Sequence, residues 1–297
     1  MTTSPEPSQR AISDQRIVAF RATVLERGGE LYRDLPWRRT RDPYEIWISE
    51  VMLQQTQTTR VDGRWQRWLE RFPTIGALAA SSPADVLEEW QGLGYNRRAL
   101  ALLRAAREVA EAGGAMPEGE RELTALPGIG PATAAGIRAF AFDLHSVYLE
   151  TNVRTVFLHE LFPGEEGVSD RTIAPLVGLT CPADASDPDD DPRTWYYALL
   201  DYGAYLKRTV PNPSRRSSSH VRQSRFEGSH RQKRAALLRV LLAHGSSGAD
   251  IATVCEELGK KEAGAGRSPL GEKDVRSLLD ELSAEGFCRQ ERGVWVV

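Results

Sequence analysis

Leu126-Pro127-Gly128-Ile129-Gly130, followed by the small apolar run from Ala132 to Ala141 (ATAAGIRAFA) and then by Glu150-Thr151-Asn152-Val153-Arg154, decides how the chain reads. Two glycines in a Leu-Pro-Gly-x-Gly turn leave no side chain over the backbone, so an anion can approach bare N–H groups where the next helix begins and its dipole favours negative charge. The 132–141 run is small enough to pack closely as a helix, and Asp143 to His145 turn the chain toward Glu150. An ordinary helix–helix turn is the plain alternative for the five residues alone. With the following turn Glu150–Arg154 included, the stretch reads as a phosphate-gripping hairpin feeding a carboxylate.

Five further motifs lie in order around it: Leu35-Pro36-Trp37-Arg38, Asp42-Pro43-Tyr44 running into Trp47–Gln57 (WISEVMLQQTQ), Arg71-Phe72-Pro73, Gly92-Leu93-Gly94-Tyr95, and Asp201-Tyr202-Gly203-Ala204. Together they resemble the helix-hairpin-helix (HhH-GPD) base-excision DNA glycosylases, in particular the MutY-type adenine glycosylases, over residues 15 to 225. Independent long motifs in the right order make chance a poor explanation. The resemblance implies an all-α, two-lobed body that binds DNA in the cleft between its lobes.

Breaking an N-glycosidic bond requires a base taken out of the stack, a proton for the departing base and negative charge beside the cationic sugar. Glu50 sits between Ile48 and Val51 in a strongly apolar helix, where desolvation favours the protonated carboxyl; the resemblance makes it the general acid, against the plain reading of a surface charge. Glu150 stands where the family carries aspartate, and is implied to stay ionised opposite the sugar. It reaches one methylene further, and a displacement of about an ångström costs on the order of a hundredfold in rate. The same resemblance makes Gln55 and Tyr95 the wedges that replace the flipped base, although Tyr95 also suits core packing. It implies that Arg38 and Asn152 serve base recognition and that Asn152 and Arg154 orient the carboxylate and the strand. Gly128, Ile129 and Gly130 would grip the DNA backbone, with a monovalent cation at the hairpin. Ala132 replaces the lysine that forms a Schiff base in strand-cutting members, so base removal without lyase chemistry is expected. The family's four iron–sulfur cysteines fall on Lys207, Ser214, Ser217 and Gln223, none of which supplies a thiolate; neither this cluster nor another metal cofactor is expected.

The 297 residues carry a formal net charge of −3, without the basic excess of many DNA-binding proteins. Charge is uneven, however. From Lys207 to Arg234 nine basic side chains face Glu227 alone, and Arg215, Arg216 and Arg222 are expected to reach phosphates; a solvated basic linker is the alternative. The acidic run Asp187–Pro192 reads as a surface loop without function. Cys181, Cys255 and Cys288 have no metal spacing and read as reduced structural thiols. A polar 1–15 segment is expected to be a disordered tail, with no signal peptide and no membrane span.

Apolar spacing predicts helices over Asp14–Arg27, Tyr44–Thr59, Gly63–Arg71, Pro83–Gln91, Arg97–Glu111, Glu120–Leu126 and Trp195–Leu206. Beyond the basic segment it predicts Arg231–His244, Asp250–Leu258 and Glu272–Glu285, then strands Phe287–Gln290 and Val294–Val297 around a Glu291-Arg292-Gly293 turn. The expected organisation is a glycosylase body over 16–225 and a small winged-helix-like α+β domain over 226–297. The expected protein is a monomeric, cytoplasmic, nucleoid-associated DNA N-glycosylase of base excision repair. It would act on double-stranded DNA containing a mismatch or lesion and remove adenine mispaired with guanine or 8-oxoguanine. Alternatives are removal of thymine, uracil or another damaged base from a mismatch, or a DNA-binding scaffold whose catalysis is impaired.

Overall fold

The computed structural model describes residues 12–187, 190–219 and 226–297. In chain order the helices are α1 (Asp14–Glu30), α2 (Pro43–Leu53), α3 (Thr58–Val61), α4 (Arg64–Arg71), α5 (Ile75–Ala79), α6 (Pro83–Glu89) and α7 (Arg97–Glu111). Then follow α8 (Glu120–Ala125), α9 (Pro131–Phe142), α10 (Thr151–Glu160), α11 (Asp170–Thr180), α12 (Pro192–Thr209), α13 (His230–His244), α14 (Ile251–Gly264) and α15 (Glu272–Ala284). Strands β1 (Arg289–Glu291) and β2 (Val294–Val296) form one antiparallel pair, Gln290 opposite Trp295. The described residues divide into two compact units: those within Met1–Glu50, Pro117–Ala125 and Ile129–Val221, and those within Val51–Met116, Leu126–Gly128 and Arg222–Val297.

In the first unit α12 packs along both α1 and α10. Phe20 of α1 meets Phe157 of α10 at 4.8 Å and Trp195 of α12 edge-on at 6.0 Å, and Phe140 of α9 stacks on Tyr197 at 4.5 Å. Each such ring buried contributes about 1.5–3 kcal/mol, so these contacts fix how α9, α10 and α12 lie against each other. Ser13 caps α1, so Asp14 and Gln15, expected in the tail, are already helical; residues 1–11 lie outside the described residues.

In the second unit α5 lies on α7, and Trp68 packs against Trp90 at 5.6 Å. The C-terminal segment has the order of a winged helix: α13, α14 and α15 enclose Leu237, Leu241, Val254, Val275 and Leu279 ahead of the hairpin. Ala249 exchanges both backbone hydrogen bonds with Trp295, adding the stub of a third strand.

The expected continuous helix from Tyr44 to Thr59 breaks after Leu53, because Gln55 takes a left-handed backbone with φ 52°. Residues 150–154 are not a turn but the start of α10. Helices α5 and α11 were not anticipated: five residues are too few to show a period, and α11 contains Pro175. The acidic run is not merely surface, since Asp191 is buried and caps α12 through Thr194, while Asp190 pairs with Arg21. Among the described residues no helix is long and apolar enough to cross a membrane.

Candidate active site

Glu50 projects from α2 toward α9 at the one position there that carries no side chain in its path. A Cβ placed on Gly136 would lie 2.9 Å from the Glu50 carboxyl carbon and 3.0 Å from the Tyr148 ring, so glycine leaves the space the carboxyl occupies. Tyr148 donates its hydroxyl to Glu50 Oε2 at 3.0 Å. The tyrosine is itself fixed, because its backbone N–H donates to Tyr196 Oη at 3.1 Å and its ring packs edge-on against Phe140 and Tyr196. Burial pushes Glu50 up to about 8; the Tyr148 hydroxyl holds it down in part, and the negative charge of Glu150 raises it further. Burial also raises Tyr148 well above the ordinary phenol value, with the charges of Glu50 and Glu150 adding to the effect.

Glu150 is the N-cap of α10, and its Oε1 accepts the backbone N–H groups of Asn152 and Val153. Burial raises its pKa, opposed by those two N–H groups and by the positive charges of Lys207 and Arg154. Helix α12 sets this turn in place: a Cβ on Gly203 would lie 2.7 Å from the Asn152 carbonyl carbon, so only glycine allows the two helices to meet this closely. Two carboxyls thus share one low-dielectric region. One has no cation among the causes of its shift and keeps its proton at neutral pH; the other faces N–H dipoles and cations that favour its ionised form.

Several expected site residues have other partners. Arg38 is not presented for base contact: it is 6% exposed, donates to both oxygens of buried Asp201 at 2.7 and 2.8 Å, and stacks 4.3 Å over Tyr197. Its guanidinium joins the Leu-Pro-Trp-Arg motif to the Asp-Tyr-Gly-Ala motif of α12, a structural ion pair across the first unit. Arg154 is bidentate on Asp170 at 2.7 and 2.8 Å, and Asn152 Oδ1 accepts from Lys207 Nζ at 3.2 Å. Arg216, expected on phosphate, instead donates to the carbonyls of Leu158, Phe162 and Glu165 at 2.7, 2.5 and 3.1 Å. Arg215 is exposed, and Arg222 lies outside the described residues.

At the hairpin Ile129 is buried, Gly130 caps α9 ahead of Pro131, and Gly128 takes φ 79° with room for no Cβ beside Ala101. Gln55 and Tyr95 are both exposed with left-handed backbones, φ 52° and 50°. Tyr148 and Gly136 were missed in the sequence. Gly136 was visible as one small residue in the 132–141 run, but Tyr148 follows no pattern that marks it.

The residues present do not fit an iron–sulfur cluster. At its expected positions Lys207 is turned to Asn152, Ser214 donates to Asn212 Oδ1 at 2.8 Å, and Ser217 bridges to Val168; Gln223 lies outside the described residues. The three cysteines are free, and no group of three or more His, Cys, Asp or Glu among the described residues is placed to hold a metal ion.

The fold is that of solved helix-hairpin-helix enzymes. A thermostable thymine-DNA glycosylase superposes with a TM-score of 0.56 at 23% identity, over 64% of this chain and 87% of the other. An endonuclease III in a non-covalent DNA complex gives 0.52 at 16% identity, over 74% and 94%. Residues 48–222 match the model of the HhH-GPD superfamily base excision DNA repair proteins, and the chain belongs to that superfamily. Among curated relatives, the adenine DNA glycosylase of Mycolicibacterium smegmatis is 35% identical over 226 residues, 70% of this chain and 75% of that one. The adenine DNA glycosylases of Mycobacterium tuberculosis H37Rv and Homo sapiens are 41% and 34% identical, over 51% and 77% of this chain. The chain spans about half the length of these two, 49% and 42%.

Proposed function

We propose that the protein is a monofunctional DNA glycosylase that removes adenine mispaired with guanine or 8-oxoguanine from duplex DNA. The observation that carries this reading is the Glu50–Tyr148 pair over Gly136, with Glu50 at about 8 and Glu150 nearby, where two backbone N–H groups, Lys207 and Arg154 oppose the effect of its burial. With Tyr148 bound to Oε2, the proton of Glu50 resides on Oε1, available to the base. The proton passes to the departing adenine as the C1′–N bond breaks and its electron pair goes to the base. Glu150 faces the positive sugar, water adds at C1′, and the proton it releases restores Glu50. Gln55 and Tyr95, exposed and locked in left-handed turns, fill the gap left by the flipped base. Relatives named adenine DNA glycosylase support the choice of base.

The protein is proposed to act as a monomer on DNA at the nucleoid without an iron–sulfur cluster, Arg216 tying by hydrogen bonds the segment where the cluster would sit. The hairpin residues 126–130 carry no ligating side chain, so a cation there would be held by main-chain carbonyls alone. The test is a set of labelled duplexes, each with one mismatch or lesion, scored for alkali-labile sites. Cleavage at adenine opposite guanine or 8-oxoguanine is expected; cleavage only at thymine or uracil opposite guanine would reassign the substrate. A second reading, DNA binding without excision, is favoured by the glutamate at 150, whose extra methylene moves the charge outward. Glu150→Asp separates the two, because an inactive chain made active by that change is a detuned scaffold.

A further inference from the structure

Arg98 holds together the two loops that carry Gln55 and Tyr95. Its guanidinium donates to the carbonyls of Val51 and Gln54, both at 2.7 Å, and to those of Gly94 at 3.0 Å and Leu93 at 3.3 Å, and lies 5.5 Å from the Tyr95 ring. Tyr95 is therefore an exposed aromatic ring on a braced support, 40% accessible and held in a backbone conformation that a tyrosine rarely adopts. The C-terminal segment reaches the same loop. Arg97 is bidentate on Glu285 at 2.7 Å for both bonds, and Glu285 also holds Arg234 at 2.8 Å, as does Glu281. One turn before Arg234 on α13, Arg231 Nη1 donates to Tyr95 Oη at 3.2 Å.

These contacts decide which part of the winged-helix-like segment faces the wedge. The acids at the end of α15, Glu281 and the capping Glu285, are engaged by Arg234 and Arg97, and the start of α13 places the Arg231 guanidinium at the tip of Tyr95. We infer that Arg231 is a DNA-contacting residue, through which the C-terminal segment grips a phosphate of the strand that Tyr95 enters. The inference rests on the proposed wedge role of Tyr95. A strand seated on that ring brings its backbone to the guanidinium, whose single hydrogen bond to a neutral phenol then gives way to a bidentate pair to an anionic phosphate. The contact carries no sequence information; it adds one phosphate to the interface and sets the strand's register at the wedge.

The experiment uses the full chain in a Glu50→Gln background, so that the probe, a duplex with one adenine opposite 8-oxoguanine, stays intact. Affinity is measured across a salt series for this parent and with Arg231→Ala, Arg231→Lys or Tyr95→Phe added. Arg231→Ala is expected to lower the slope of log affinity against log salt by about 0.9, so the affinity lost between roughly 50 and 200 mM salt shrinks by about threefold. Arg231→Lys and Tyr95→Phe are expected to keep the parent slope, since a lysine still neutralises the phosphate and the phenol does not touch it. An unchanged slope in Arg231→Ala overturns the inference. So does a Tyr95→Phe variant with the same loss, which would place the action of Arg231 on the tyrosine rather than on DNA. A parent that binds no duplex at any salt overturns the proposed function itself, a result distinct from either.

Discussion

The absent side chain at Gly136 lets the Glu50 carboxyl meet Tyr148 inside a packed interior, and each of the three residues can be tested by one change. In Gly136→Ala the new methyl must displace the carboxyl, so excision is expected to fall on the order of a hundredfold, at a stability cost of about 1–3 kcal/mol. Single-turnover rates and thermal melts check both. Glu50, raised from 4.5 to about 8, gives a pH dependence of fixed sign. Below pH 4.5 the carboxyl is protonated in both folded and unfolded chains and contributes no slope. Between 4.5 and 8 only the unfolded chain releases the proton, so stability falls as pH rises, and above 8 the loss is complete. Glu50→Gln should remove that fall, melting above the natural chain by a few kcal/mol at pH 8. It should also abolish excision while DNA binding persists. In the natural chain the rate should decline above pH 8. Tyr148→Phe should move that decline to higher pH, because the lost hydrogen bond favoured the ionised carboxylate; an unmoved limb would separate Glu50 from the proton transfer.

At the scale of elements, α10 and α12 position Glu150, through a cap at Glu150 and the close approach at Gly203, and Arg216 holds the far end of α10. Arg216 satisfies the carbonyls of Leu158 in the last turn of α10 and of Phe162 and Glu165 just beyond it. Arg216→Met keeps much of the apolar stem but leaves those carbonyls without their donor, and is expected to lower stability by about 2–4 kcal/mol, read from urea unfolding. No change would mean that water replaces the guanidinium without loss. The helices themselves were legible because their apolar spacing repeats over two or more turns, as in α7 and α13. Glu50 and Glu150 were singled out as candidates by the motifs around them, and the structure places them within electrostatic reach of each other. Tyr148 was not, since it lies on the segment between α9 and α10, outside any helix or strand, with partners 98 and 48 residues away in sequence, and no local period encodes such contacts. The protein partners of Arg38 and Arg216 were not legible for a related reason: an arginine has the same letter whether its partner is a phosphate, a buried Asp201 or a row of carbonyls.

Across the whole molecule, the distribution of lysine limits the chemistry as much as the two carboxylates enable it. Strand scission by a glycosylase needs an amine that can attack C1′ and form a Schiff base. Position 132 is alanine, and reading from Met1 the first lysine in the chain is Lys207. Its ammonium donates to Asn152 Oδ1 at 3.2 Å and is one of the charges that oppose the burial-driven rise of Glu150, so in the first unit it acts as a counter-ion to that carboxylate. Base removal should therefore yield an intact strand with an abasic site that breaks only on alkali or heat, and borohydride added during turnover should trap no protein–DNA adduct. Both are read on denaturing gels from one reaction series. A trapped adduct in the natural chain would refute the monofunctional reading, and its loss in Lys207→Ala would name the nucleophile. If the adduct persisted in that variant, the attacking amine would have to lie elsewhere, at the chain's N-terminus or on a lysine beyond residue 207.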